Sequence, residues 1–138
     1  MDSAGNLDQS LSNFRILVAE DNLVNQKVAL RILNHLGYQA DVAVNGQEVI
    51  QAIAVKSYDL IFMDVQMPEM DGLEATRHIR AQESASQSPA ITIVAMTANA
   101  TDDDQNICRD AGMNDYISKP IQIEKLKNIL QHYESLSQ

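Results

Sequence analysis

Residues 16–22 read I-L-V-A-E-D-N and set four apolar side chains directly before two carboxylates. The apolar run has the length of a strand and no polar alternation, so it predicts a strand buried on both faces. Glu20 and Asp21 then stand together where this strand ends, and their like charges repel. Two interpretations are open at this point: the acids cap the following helix, or they bind a cation.

The same order of strand and helix repeats along the chain. Runs of strand length occur at Phe14–Ala19, Gln39–Val44, Leu60–Met63, Ile91–Met96 and Asp115–Ser118. Helical spacing or capping residues follow each run, over residues 25–36, 45–56, 72–82, 101–112 and around 126–133, whereas residues 83–90 (E-S-A-S-Q-S-P-A) predict a polar loop. The alternation predicts an α/β fold with a parallel sheet, central strands 1, 3 and 4, and helices on both faces.

Composition limits the classes of function. The chain has 138 residues, a formal net charge of −9 and a pI near 4.5, which argues against direct nucleic-acid binding. Its single cysteine, Cys108, favours a reducing, cytoplasmic location. No apolar run approaches the roughly 20 residues of a membrane span, so we expect no direct membrane insertion. We expect a flexible tail or linker over residues 1–12, one domain over 13–135 and a short tail over 136–138.

Polar residues stand at the carboxyl ends of four predicted strands. Glu20 and Asp21 follow strand 1, Asp64 follows strand 3, Thr97 follows strand 4 and Lys119 follows strand 5. Ligand sites of open α/β sheets lie outside these strand ends, so the five side chains are expected to converge. Three crowded carboxylates favour a cation, and their hard oxygen atoms suit Mg²⁺. Cation binding is therefore favoured over helix capping as the role of the acid pair.

Four motifs resemble the receiver domain of two-component response regulators, the CheY-like domain. They are V-A-E-D-N after strand 1, L-I-F-M-D-V-Q-M-P-E-M-D-G around strand 3, V-A-M-T-A at strand 4 and Y-I-S-K-P at strand 5. The residues of these motifs most resemble those of receivers from hybrid sensor histidine kinases. The resemblance covers nearly the whole chain and implies a flavodoxin-like, doubly wound (βα)5 three-layer sandwich with parallel strands in the order 2-1-3-4-5.

The resemblance also implies a reaction. Asp64 would accept a phosphoryl group from a phosphohistidine on a histidine kinase or a histidine phosphotransfer protein. Mg²⁺, or Mn²⁺ as a substitute, would be held by Glu20, Asp21, Asp64 and the backbone carbonyl of Gln66, with Asp21 a more direct ligand than Glu20. Lys119 would pair with a phosphoryl oxygen. The family pattern thus explains the acid pair as a metal site.

A conformational switch is implied by the same resemblance. The hydroxyl of Thr97 would move to the phosphoryl group, Tyr116 would swing inward, and the surface of helix 4, strand 5 and helix 5 would change and could dock a downstream partner. A cis Lys119–Pro120 peptide bond is expected. Gln66 and Asn99 occupy positions that tune the lifetime of the phosphoryl group in the family.

Alternatives remain at this stage. A docking-only domain with the receiver fold is one of them. Another is an aspartyl-phosphate phosphatase resembling the haloacid dehalogenase family, although Gln66 stands where those enzymes carry a second aspartate. We expect a non-enzymatic signalling domain that is monomeric before activation and able to dimerise after it. It could be a single-domain protein or part of a hybrid kinase, whose whole chain could be membrane-anchored.

Several reactive residue types receive structural interpretations. The three histidines lack partners at ligand spacing and are expected to be surface or boundary residues: His35, His78 and His132. Cys108 is expected on a helix face, Met63 in the core, and Met67 and Met70 either over the site or simply packed. The acidic run 102–104 is expected to be a solvated helix start rather than a second metal site.

Overall fold

The computed structural model describes residues 13–98 and 101–136. Strands and helices alternate strictly in these residues, as the sequence periodicity predicts. The elements are β1 (Ile16–Ala19), α1 (Leu23–His35), β2 (Ala40–Ala43), α2 (Gly46–Val55), β3 (Leu60–Asp64), α3 (Gly72–Ser86), β4 (Thr92–Thr97), α4 (Asp102–Ala111), β5 (Asp115–Ser118) and α5 (Ile123–Leu136). The predicted tails 1–12 and 137–138 and the predicted role of Asn99 lie outside the described residues.

The five strands form one parallel sheet in the order β2-β1-β3-β4-β5. The predicted order and the three central strands are therefore confirmed. In register, Ala19 pairs with Met63, Asp64 with Met96, and Thr97 with Ser118. This register brings the carboxyl ends of β1, β3, β4 and β5 to one edge of the sheet.

Two apolar clusters cover the two faces of the sheet and make a three-layer structure. Alternate residues of the central strands, such as Val18, Phe62 and Val94, pack with the residues of α1 and α5. Their neighbours, such as Leu17 and Ile61, pack with α2, α3 and the end of α4. Because successive strand residues point to opposite faces, an uninterrupted apolar run is needed to bury both.

Side-chain caps explain where several helices begin. The amide of Asn25 donates to the side chain of Asn22 at 3.0 Å, and the amide of Glu48 donates to that of Asn45 at 2.9 Å. Thr101 accepts from the amide of Asp104 at 3.2 Å. These short polar residues bind amide groups that have no carbonyl partner in the first helical turn. The predicted caps at residues 45 and 101 are present, whereas α1 begins two residues before its predicted start.

The predicted loop over residues 83–90 is wrong in its first half. Helix α3 continues to Ser86 and ends at Gln87, whose φ of 57° is left-handed. Glu83 supports this extra turn, since its carboxylate accepts from Arg80 and from the amide of Ile91, each at 2.8 Å. A tertiary contact to the start of β4 therefore overrides the weak helix propensity of this serine-rich segment.

Across residues 13–98 and 101–136, no helix combines the length and the apolar character needed to cross a bilayer.

Candidate functional site

The polar residues at the strand ends share one cavity of about 590 Å³. The five predicted side chains all line it: Glu20, Asp21, Asp64, Thr97 and Lys119. Gln66 also lines this cavity, in the loop that follows β3. Residues up to a hundred positions apart thus meet because the parallel strands end at the same edge.

Lys119 connects two of the acids. Its Nζ lies 2.8 Å from Oε1 of Glu20 and 2.8 Å from Oδ2 of Asp64. Both carboxylates are buried, with Glu20 only 2% exposed and Asp64 only 5% exposed. Burial alone lowers the pKa of the Lys119 ammonium, but the hydrogen bonds to Asp64 and Glu20 outweigh it and hold the pKa above its usual value. The ammonium is therefore a permanent positive charge at neutral pH.

The Asp64 carboxylate is held from two sides. Its Oδ1 accepts the amide of Gln66 at 3.1 Å, while Oδ2 accepts from Lys119. The start of helix α3 packs directly against the backbone of Asp64. A Cβ added to Gly72 would lie only 2.2 Å from the Asp64 carbonyl oxygen. Only glycine allows this approach. Gly72 is a site residue that the sequence reasoning missed, although the glycine after P-E-M-D was visible as a signal.

The acid pair has a different local role from helix capping. Asn22 caps α1, while Oε2 of Glu20 accepts the Asn22 amide at 3.1 Å. Gln26, which is buried, donates from Nε2 to the Glu20 carbonyl at 2.6 Å. The interpretation of the acids as helix caps is therefore wrong. Gln26 was also missed, although it shares the inward face of α1 with Ala29 and Leu33.

The three acids can share a cation. One carboxylate oxygen each from Glu20, Asp21 and Asp64 lies within 4.8 Å of the others. Asp21 is exposed, whereas the other two are buried, so the cluster opens to solvent on one side. Oxygen ligands in a partly open site suit Mg²⁺, which retains several of its waters. The donor set and its spacing fit the predicted metal.

The remaining predicted residues are placed as follows. The Lys119–Pro120 peptide bond is cis. Tyr116 is half-buried against the apolar cluster beside α4, and it pairs in register with Ala95, two residues before Thr97. It lies outside the cavity lining. Alternation along the strands places Tyr116 and Thr97 on the same face of the sheet.

The structure also places the histidines, cysteine, methionines and acidic run for which the sequence predicted structural roles. The three histidines are exposed, and both Cys108 and Met63 are buried. Met67 is buried and lines the cavity, while Met70 packs in the apolar cluster beside α2 and α3. The acidic run is not uniform: Asp104 is half-buried and lines the cavity, contrary to the prediction of a solvated helix start.

Comparison with known proteins agrees with this geometry. The family model of the response regulator receiver domain matches residues 16–131, and the chain belongs to this family. It is 44% identical over 121 residues to the hybrid signal transduction histidine kinase K of Dictyostelium discoideum, covering 85% of this chain and 10% of that protein. The chain therefore spans only a small part of such relatives.

Two solved structures are similar over most of their length. The Saccharomyces cerevisiae Ssk1 receiver domain, in complex with the histidine phosphotransfer protein Ypd1, has a TM-score of 0.87, 30% identity and 92% coverage of each chain. The receiver domain of the Pseudomonas aeruginosa sensor histidine kinase PA1611, with magnesium in its active-site cleft, has a TM-score of 0.78 and 41% identity. It covers 88% of this chain and 98% of its own.

Proposed function

We propose that this receiver domain accepts a phosphoryl group on Asp64 from a phosphohistidine. The observation that carries the proposal is the cavity in which a buried carboxylate meets one ammonium and two further acids. The donor is a histidine kinase or a histidine phosphotransfer protein, in keeping with the partner named for the Ssk1 receiver. The domain acts in the cytoplasm, as the single cysteine favours.

The reaction is a substitution at phosphorus. A carboxylate oxygen of Asp64 forms the new O–P bond, the N–P bond of the donor breaks, and its electron pair stays on the imidazole nitrogen. Lys119 and the Gln66 amide hold the carboxylate in one orientation before transfer. Lys119 then pairs with a phosphoryl oxygen, and the Thr97 hydroxyl binds another.

The acid cluster is the proposed metal site. Glu20, Asp21, Asp64 and the Gln66 carbonyl would hold Mg²⁺, and Mn²⁺ could replace it. When bound, the metal supplies positive charge that offsets the carboxylates and the incoming phosphoryl oxygens. Support comes from the oxygen spacing and from the magnesium named for the PA1611 receiver.

The donor protein covers the mouth of this cavity during transfer. Asn22 and Asn25 line the cavity from the start of α1. The first two turns of the same helix expose apolar side chains, with Leu23 62% and Val24 68% accessible and Val28 exposed as well. An exposed apolar stripe beside a reaction site is typical of a docking surface. We assign it to the donor.

Transfer also switches a second surface, formed by α4, β5 and α5. Thr97 lies at the end of β4 and Tyr116 on the neighbouring strand, both on one face. Movement of the Thr97 hydroxyl toward the phosphoryl group lets Tyr116 follow, and the α4-β5-α5 surface changes for a downstream partner or for dimerisation. The unmodified domain is monomeric. It has no turnover of its own beyond accepting and losing the phosphoryl group.

Two alternatives are less well supported. A docking-only domain has no need for a buried acceptor bonded to a lysine. An aspartyl-phosphate phosphatase resembling haloacid dehalogenases uses a second aspartate as general acid, and Gln66 occupies that position.

The test is intact-mass analysis after incubation with acetyl phosphate. We expect one added phosphoryl group in the wild type with Mg²⁺, little with EDTA, and none in Asp64→Asn. Asp59→Asn is the matched control, because this exposed acid lies just before the other end of β3. A wild type that neither gains mass nor binds beryllofluoride, a stable phosphoryl mimic, would leave the docking-only alternative.

A further inference from the structure

Asp104 is an acid of the acceptor cavity that the reaction described above does not use. It lies in the first turn of α4 and lines the same cavity as Asp64 and Lys119. The Thr101 hydroxyl donates to its Oδ2 at 2.8 Å, and its own amide donates to Thr101 at 3.2 Å. The first of these bonds ties the carboxylate to the residue that caps the helix.

The charge of the cavity is unbalanced. Among the described lining residues, four carboxylates face the single ammonium of Lys119. One bound Mg²⁺ would offset two of the remaining three negative charges, so the metal-loaded site would keep an excess of about one negative charge. Conversion of the Asp64 carboxylate to an aspartyl phosphate adds roughly one more negative charge at neutral pH. Asp104 is the one of these acids that neither belongs to the metal cluster nor contacts Lys119.

We propose that Asp104 opposes the phosphoryl group electrostatically and so sets how weakly the site holds it. The inference rests on the proposed function and deepens it. A cavity of about 590 Å³ is roughly 10 Å across, comparable to the Debye length of about 8 Å at physiological salt, so screening is incomplete. Repulsion makes the phosphorylated state less stable and eases transfer of the group onward or back to a histidine.

The neighbouring acids supply matched controls. Asp102 and Asp103 occupy the same first turn, carry the same charge and also lie at the positive end of the helix dipole. Both are exposed, and neither is among the described residues that line the cavity. Asp103→Asn therefore removes the same net charge from the same helical turn as Asp104→Asn, without changing the cavity.

The experiment measures the affinity of the domain for beryllofluoride at saturating Mg²⁺, by calorimetry. Asp104→Asn keeps the oxygen that Thr101 bonds, and it is expected to tighten binding about two- to five-fold, from the interaction of like charges across a solvated cavity. Asp103→Asn and Asp104→Glu should bind like the wild type. The effect of Asp104→Asn should shrink as salt is raised from 50 to 500 mM. Thermal unfolding of each variant verifies that α4 is intact.

The outcomes separate the two proposals. If the wild type fails to bind beryllofluoride with Mg²⁺, the proposed function itself is wrong. If the wild type binds, equal affinities of Asp104→Asn and Asp103→Asn would overturn the role of Asp104. Tightening that is independent of salt, or that appears also in Asp104→Glu, would assign the effect to packing rather than to charge and would overturn it too.

Discussion

Replacement of Lys119 by methionine is the perturbation that tests most directly how the cavity is held together. The substitution keeps an unbranched chain, replaces one methylene by sulfur and removes the ammonium. Two buried carboxylates, those of Glu20 and Asp64, then lose the partner that each contacts at 2.8 Å. The loss leaves like charges facing one another without a counter-charge. We expect the metal-free protein to become markedly less stable.

The magnitude follows from burial. Removal of one member of a buried ion pair costs about 3–5 kcal/mol, because the remaining charge stays desolvated. The cavity is open to water, and the Lys119 side chain is 22% exposed, so the lower end of this range, about 3 kcal/mol, applies. With an m-value of about 1.5–2 kcal/mol/M in urea, the unfolding midpoint falls by about 1.5–2 M.

The assay is urea unfolding at pH 7, first with EDTA and then with excess Mg²⁺. Lys56→Met is the control, because Lys56 makes an ion pair of the same length, 2.8 Å, with Asp41, but both side chains are about half exposed. Exposed pairs contribute only about 0.2–1 kcal/mol. Mg²⁺ should restore more stability to Lys119→Met than it adds to the wild type, since it supplies the missing positive charge.

Two results would refute this reasoning. A loss in Lys119→Met no greater than that in Lys56→Met would mean that the acids do not depend on the ammonium. Equal stabilisation of wild type and Lys119→Met by Mg²⁺ would mean that the metal and the lysine do not compensate the same charges.

Two further predictions concern packing and pH. Gly72→Ala should lower the free energy of unfolding by about 1–3 kcal/mol in the same assay, because its Cβ would overlap the Asp64 carbonyl oxygen; an unchanged midpoint would contradict this. Burial and a hydrogen bond to Asp41 raise the pKa of Tyr58 to about 12, and burial and the neighbouring Asp115 do the same for Tyr133. Both neutral forms are thereby stabilised in the folded state. The resulting stability is complete below pH 10 and is lost as pH rises from 10 through 12. Tyrosinate absorbance should therefore appear in that window together with unfolding. Ionisation of Tyr58 and Tyr133 at lower pH, before unfolding, would contradict this prediction.

The order of elements could be predicted because it depends on local periodicity. The apolar runs at Leu60–Met63 and at Ile91–Met96 identify central strands without reference to any other part of the chain. The end of α3 could not be predicted in the same way. Its last turn depends on Glu83, which binds both Arg80 and the amide of Ile91 after the intervening turn has folded.

Some residues of the candidate site could likewise be predicted from local sequence, and others depend on tertiary contacts. Position at the carboxyl end of a strand was enough to select Asp64, Thr97 and Lys119, because parallel strands must end together. The roles of Gly72 and Gln26 were missed, because each acts through one close contact with the backbone of another element.

Sequence alone determined the fold class, the resemblance to the receiver family and three of the four acids at one edge of the sheet. The fold class depends on the alternation of strands and helices, the family on four motifs, and the three acids on their position at strand ends. Only the tertiary structure decided that Lys119 binds Glu20 and Asp64 together, and that α4 turns Asp104 into the same cavity. Both facts depend on how separate helices and strands pack, to within a few ångströms, and no local pattern specifies distances of that kind.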